Sequence, residues 1–197
     1  DFIRLYTTRN NRWLSPKFLA GESYGTTRAA GLSGYLQDRH GMLLNGLVLI
    51  SAVLDFTTID FNLNNDLPYI LFLPAYAATA WYHRKLNFKA PLQTVLKEAA
   101  EFAKGEYAAA LLKGASLTPE ERANIVEKLT RYTGISQEFI ELTNLRILDQ
   151  HYFKELLRER GKTVGRLDSP DTGMDRSGVT SMPEYDPLFA QVNGPYT

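Results

Sequence analysis

No cysteine occurs among the 197 residues. Disulfides, thiolate metal sites and cysteine nucleophiles are therefore excluded from this stretch, although the compartment is not thereby fixed. An excess of charge of one sign is lacking too. The 22 Lys and Arg balance 22 Asp and Glu, so net charge draws the protein neither to nucleic acid nor to an anionic membrane. Long hydrophobic runs are missing: the longest, "LPYILFLPAYAATAWY" at 67–82, is too short for a membrane span and carries Pro74. There is no glycine-rich phosphate loop and no pair of histidines or acids at metal-binding spacing, so neither a cofactor nor a metal is expected. Internal repeats and low-complexity tracts are also absent.

What is present is an ordinary globular composition, enough for one domain or a piece of a larger one. The opening "DFIRLYTTRNNRW" reads as the end of an amphipathic helix with Phe2, Ile3 and Tyr6 on one side, as if the chain began mid-domain. Residues 17–22 form a short apolar strand, and "TTRAAGLSGYLQDRH" at 26–40 reads as a helix. Its small residues Ala29, Ala30, Gly31, Ser33 and Gly34 predict tight packing against a sheet. "NGLVLISAVLDF" then suits a strand buried on both faces. Strand, helix, strand in this order is a βαβ unit with a parallel sheet.

From Asp66 the pattern turns helical. Leu92, Val95, Leu96, Ala99, Phe102 and Ala103 hold helical spacing after Pro91. Thr118, Pro119 and Glu121 make a helix start with a capping box, Gly134 a stop, and Ser136 a second cap. After "YFKELLRERG" the Gly-, Pro- and Ser-rich tail reads as loop. The organisation expected is an α/β core over 1–65, a helical insertion over 66–160 and a loop-rich segment over 161–197. The aromatics Tyr69, Phe72, Tyr76, Trp81 and Tyr82 suit core packing of the insertion better than a lid over apolar side chains.

The chemistry concentrates in "FLAGESYGTTRAAG", residues 18–31. Gly-x-Ser-x-Gly between a buried strand and a helix is a nucleophile elbow. The serine takes a positive φ, its neighbours two positions away must be small, and its Oγ stands near a helix N-terminus. Ser23 is then the candidate nucleophile, and the backbone N–H of Tyr24 a donor to a substrate oxyanion. On residue chemistry alone, Glu22 is equally a functional carboxylate and an acid favoured by the helix dipole.

"SPKFLAGESYGTTRAAGL" resembles the nucleophile region of the serine carboxypeptidases, whose signature centres on Gly-Glu-Ser-Tyr-Gly. "LNGLVLISAVLDF" and "DLPYILFLPAYAATAWYH" extend the likeness, the latter toward bacterial members. The resemblance implies a partial α/β-hydrolase fold, a βαβ piece with its elbow followed by a helical cap insertion. It implies hydrolysis of the C-terminal peptide bond through an acyl-enzyme on Ser23. Glu22 would help hold the free C-terminal carboxylate of a peptide substrate, sharing a proton with a second acid so that a protonated carboxyl can donate to it. The same likeness suggests a secreted or periplasmic setting, while localisation and oligomeric state are open from the residues. Alternatives are an esterase or aminopeptidase with the same elbow, or a non-catalytic relative acting as a binding module.

A serine nucleophile needs a base and an orienting acid in the order Ser, Asp or Glu, His for this fold. Ser23, Asp55 and His151 occur in that order, with Asp55 expected to close the second strand. His151, however, falls in a helical context rather than on a loop after a late core strand. His40 reads as a helix-end cation and His83 as a surface residue. The resemblance places the acid and histidine beyond Thr197 and a glycine-rich oxyanion loop before Asp1.

Overall fold

A computed structural model describes residues 1–189, and the chain divides into two compact units at Phe56 and Thr57. The fold mixes helix and strand and contains a small parallel sheet.

In the first unit, helix α1 (Phe2–Arg9) precedes strand β1 (Phe18–Glu22), helix α2 (Tyr24–His40) and strand β2 (Gly46–Ile50). β1 and β2 pair in parallel, with Phe18 opposite Gly46 and Glu22 opposite Ile50. α2 returns the chain between them, as a parallel pair requires. Gly41 ends α2 in the left-handed conformation at φ 58°.

Four local expectations are corrected in this unit. β2 stops at Ile50 because Ser51 turns to φ 51°, so Asp55 lies beyond the strand rather than closing it. The strand is not buried on both faces: Leu47 is 41% and Ile50 51% exposed. A two-stranded sheet has too few neighbours to cover them. Gly31 and Gly34 meet no backbone closely either, since a Cβ added to either finds nothing within 4 Å. Thr26, Ala29 and Leu36 provide the buried residues of α2 instead. In α1, Phe2 and Tyr6 remain exposed, and the buried residue is Thr7, whose Oγ1 donates to Ile3 O.

The second unit is mainly helical: α3 (Leu67–Tyr82), α4 (Leu92–Phe102), α5 (Ala108–Lys113), α6 (Pro119–Thr133), α7 (Gln137–Leu142) and α8 (Asp149–Glu155). A single π-helical turn, Ala103–Tyr107, joins α4 to α5. The expected caps form. Thr118 Oγ1 accepts from Glu121 N at 3.2 Å while Glu121 Oε2 accepts from Thr118 N at 3.0 Å, and Gly134 closes α6 at φ 71°. Ser136 Oγ likewise accepts from Phe139 N at 3.2 Å.

Leu73, Val95, Leu129, Ile140 and Leu156 meet in the core of this unit. Tyr76 stacks on Tyr152 at 4.1 Å; the Tyr152 hydroxyl donates to Tyr76 O at 2.7 Å and the Tyr76 hydroxyl to Ile147 O at 3.3 Å, so both rings are buried with their polar ends satisfied. Burial pushes both phenols well above their ordinary range. The aromatic run therefore divides. Tyr76 is core, Tyr69 and Phe72 pack against it, and Trp81 and Tyr82 stay exposed.

The tail is more structured than its composition predicts. Strands β3 (Lys162–Val164) and β4 (Thr172–Met174) pair antiparallel, with Val164 opposite Thr172. Lys154 and Asp175 form an ion pair with both side chains buried, and Lys154 also donates to Ser177 O. These long-range anchors hold a segment whose own sequence carries only turn signals. The part of the expected loop at 190–197 lies outside the described residues.

Candidate active site

β1 delivers the chain to the corner and α2 carries it away. Ser23 is the residue between them, at φ 52° and ψ −122°. A side chain there is strained, since this region is one that glycine favours. The surrounding bonds hold it: Ser23 N donates to Ile50 O at 3.0 Å, and Ser23 O accepts from Thr26 N at 3.0 Å and Thr26 Oγ1 at 2.7 Å. Thus the neighbouring strand fixes one side of the serine and the first turn of α2 the other.

The two glycines of the motif do different work. A Cβ on Gly21 would stand 2.1 Å from Gly25 O and 2.8 Å from Thr26 N, so only glycine lets β1 pass beneath the start of α2. A Cβ on Gly25 would find nothing within 4 Å. The expectation that both positions must be small for steric reasons therefore holds for Gly21 but not for Gly25. The contact is one-sided because the carbonyl at issue belongs to residue 25 itself.

Glu22, Ser23 and Tyr24 are all exposed. Tyr24 is the first residue of α2, where the backbone N–H has no intrahelical acceptor and the helix dipole favours negative charge. The Tyr24 ring lies 6.3 Å from that of Phe56, with the Arg28 guanidinium 5.4 Å from its centroid. Glu22 precedes the N-cap and belongs to the strand, so it lies outside the first turn of α2. Because side chains alternate along a strand and Gly21 faces α2, Glu22 belongs to the opposite face of the sheet.

The histidines have local roles. His40 ends α2, roughly 25 Å along the helix from Ser23, and packs edge-on to Tyr35 at 5.5 Å. His83 follows α3, and its Nε2 lies 2.7 Å from Ser169 O, so it is tied into the second unit rather than being a plain surface residue. His151 belongs to α8, with its ring edge-on to Phe139 at 6.3 Å. Burial lowers its pKa from the ordinary 6.5, against the opposing pull of Asp149 and Glu155. Asp55 lies in the first unit and His151 in the second.

Among the described residues, no group of three or more His, Cys, Asp or Glu is placed to hold a metal, and no helix is long and apolar enough to cross a membrane. One polar constellation had no signal in the sequence. Arg146 grips Asp66 through two parallel bonds of 2.7 and 2.8 Å, although the residues are 80 positions apart. Only tertiary contact brings them together.

Compared with protein-family models, curated proteins and solved structures, the chain gave no match.

Proposed function

We propose that the chain carries the nucleophile of a serine-type carboxypeptidase built on an α/β-hydrolase fold. The observation that supports this reading is the backbone of Ser23, held at φ 52° between β1 and α2 with Gly21 pressed against Gly25. An exposed hydroxyl on a strained strand-to-helix corner is a poor choice for stability alone. In the proposed reaction Ser23 Oγ attacks the carbonyl of the last peptide bond. Its proton passes to a histidine base and then to the departing amine, leaving an acyl-enzyme that water hydrolyses. Tyr24 N–H stabilises the oxyanion, and Glu22 binds the terminal carboxylate of the peptide. A histidine base with its orienting acid, and a further oxyanion donor, complete the proposed reaction.

Matched peptides with a free or amidated C-terminus test this in the full-length protein. Charged hydrogen bonds at the carboxylate are worth roughly 1.5–3 kcal/mol each, so amidation should lower kcat/KM by at least about tenfold. Glu22→Ala should remove most of that preference. Equal rates on the two peptides would favour the esterase or aminopeptidase reading. Failure of Ser23 to react with a fluorophosphonate would favour a binding module.

A further inference from the structure

A cavity of about 570 Å³ opens in the second unit where the segment before α3 meets α5 and the loop after α7. That volume lies within the roughly 300–1,000 Å³ of small-ligand sites. Its apolar wall comes from Phe61, Tyr69, Leu111 and Leu117. Its polar groups are Asn62, Asn64 and Asn144 together with Asp66, Arg122 and Arg146.

The charges in this cavity are compensated from within the protein. Asp66 spends both oxygens on Arg146. Arg122 Nε donates to Glu141 at 2.6 Å and its Nη1 to Asn144 Oδ1 at 3.0 Å. A ligand of either charge would have to compete with these pairs. Asn62 gives its amide to Asp60 at 2.5 Å and keeps its oxygen as an acceptor, while the Asn64 side chain offers the donor and acceptor geometry of a peptide group. Asn144, its oxygen engaged by Arg122, retains its amide as a donor.

Three lining residues have positive φ, Asn64 at 68°, Asn144 at 51° and Leu145 at 67°; asparagine adopts this region readily, whereas leucine is strained in it. The Tyr107 hydroxyl, at the end of the π-helical turn, donates to Leu145 O at 2.6 Å and pins one of them. Strained residues and π-turns both concentrate where a fold presents a binding surface.

The geometry points to a binding site for an uncharged peptide segment, with an aromatic or aliphatic side chain against the apolar wall and main-chain groups on the asparagines. A sugar fits less well. Phe61 is engaged edge-to-face by Tyr69 at 5.0 Å and by Phe72 at 5.1 Å, so it forms a wall rather than an open stacking platform. The site is built without Ser23 or Glu22.

Isothermal titration of the chain with acetyl-Ala-Phe-Ala-amide tests the inference. The blocked C-terminus keeps the peptide from engaging a carboxylate-binding Glu22, and the Ser23→Ala variant removes hydrolysis. Saturable binding is expected, equal in the parent and in Ser23→Ala. Ala115→Trp fills the cavity from an exposed lining position, and Asn144→Gly removes an amide while tolerating φ 51°. Each should weaken binding by about tenfold or more with an unchanged unfolding midpoint. Acetyl-Ala-Lys-Ala-amide and maltose should bind much more weakly. Absence of saturable binding, equal binding of the lysine peptide or maltose, or full affinity in Ala115→Trp would each overturn it.

Discussion

The α-carbon of Gly21 faces the carbonyl of Gly25 so closely that a Cβ would stand 2.1 Å from that oxygen. This contact sets how steeply β1 turns into α2, and with it the placement of Ser23. Gly21→Ala should force the corner apart and destabilise the first unit by about 1–3 kcal/mol. Gly25→Ala has open space at a helical position and should be neutral or stabilising by roughly 0.5–1 kcal/mol. Urea unfolding of the two variants reads the difference directly. Equal losses would show that the corner is limited by something other than this contact.

Ser23 and Gly114 share one backbone conformation, φ 52° and ψ −122° against φ 53° and ψ −120°. At 114 the chain uses the residue that adopts it freely; at 23 it keeps a hydroxyl. Ser23→Gly should therefore raise stability by about 1 kcal/mol while removing the proposed nucleophile. A variant less stable than the parent would argue that the hydroxyl itself holds the corner.

The Lys154–Asp175 pair has side-chain exposures of 0% and 3%. Removing one partner leaves the other charge buried and should cost about 3–5 kcal/mol. Replacing both together, as Lys154→Met with Asp175→Leu, should recover much of that loss. Denaturant unfolding of the four-member cycle measures the coupling. Additive single losses would mean that the two charges are solvated independently.

His151 favours its neutral form in the fold because burial lowers its pKa from 6.5. The associated stability is fully present above that unfolded value and is lost as pH falls through the lowered folded value. Melting temperatures should thus decline from neutral pH toward pH ~5, and His151→Gln should flatten the decline. Parallel curves for parent and variant would remove His151 from the acid response.

The strand-to-helix corner at Ser23 was legible in the sequence because each of its determinants lies within a few residues of the next. The same is true of the Thr118–Glu121 capping box and the Gly134 stop, which are set by the dihedral preferences and orphan amides of one helical turn. The sequence by itself therefore determined where the strand turns to helix at Ser23, and where α6 begins and ends. The tertiary structure decided the rest. Residues 162–174 became a hairpin in a unit where Lys154 meets Asp175 and Thr163 Oγ1 meets Phe153 O, contacts invisible in a run of turn formers. Gly25 proved sterically free and Gly31 and Gly34 unpacked, because the space around a Cβ is set by elements that no local pattern names. The charge balance of the cavity arose because Asp66 meets Arg146 across 80 positions and Arg122 meets Glu141 across 19. Short-range conformational preferences act on each residue independently of the fold, whereas burial, charge pairing and cavity shape exist only once distant segments have been brought into contact.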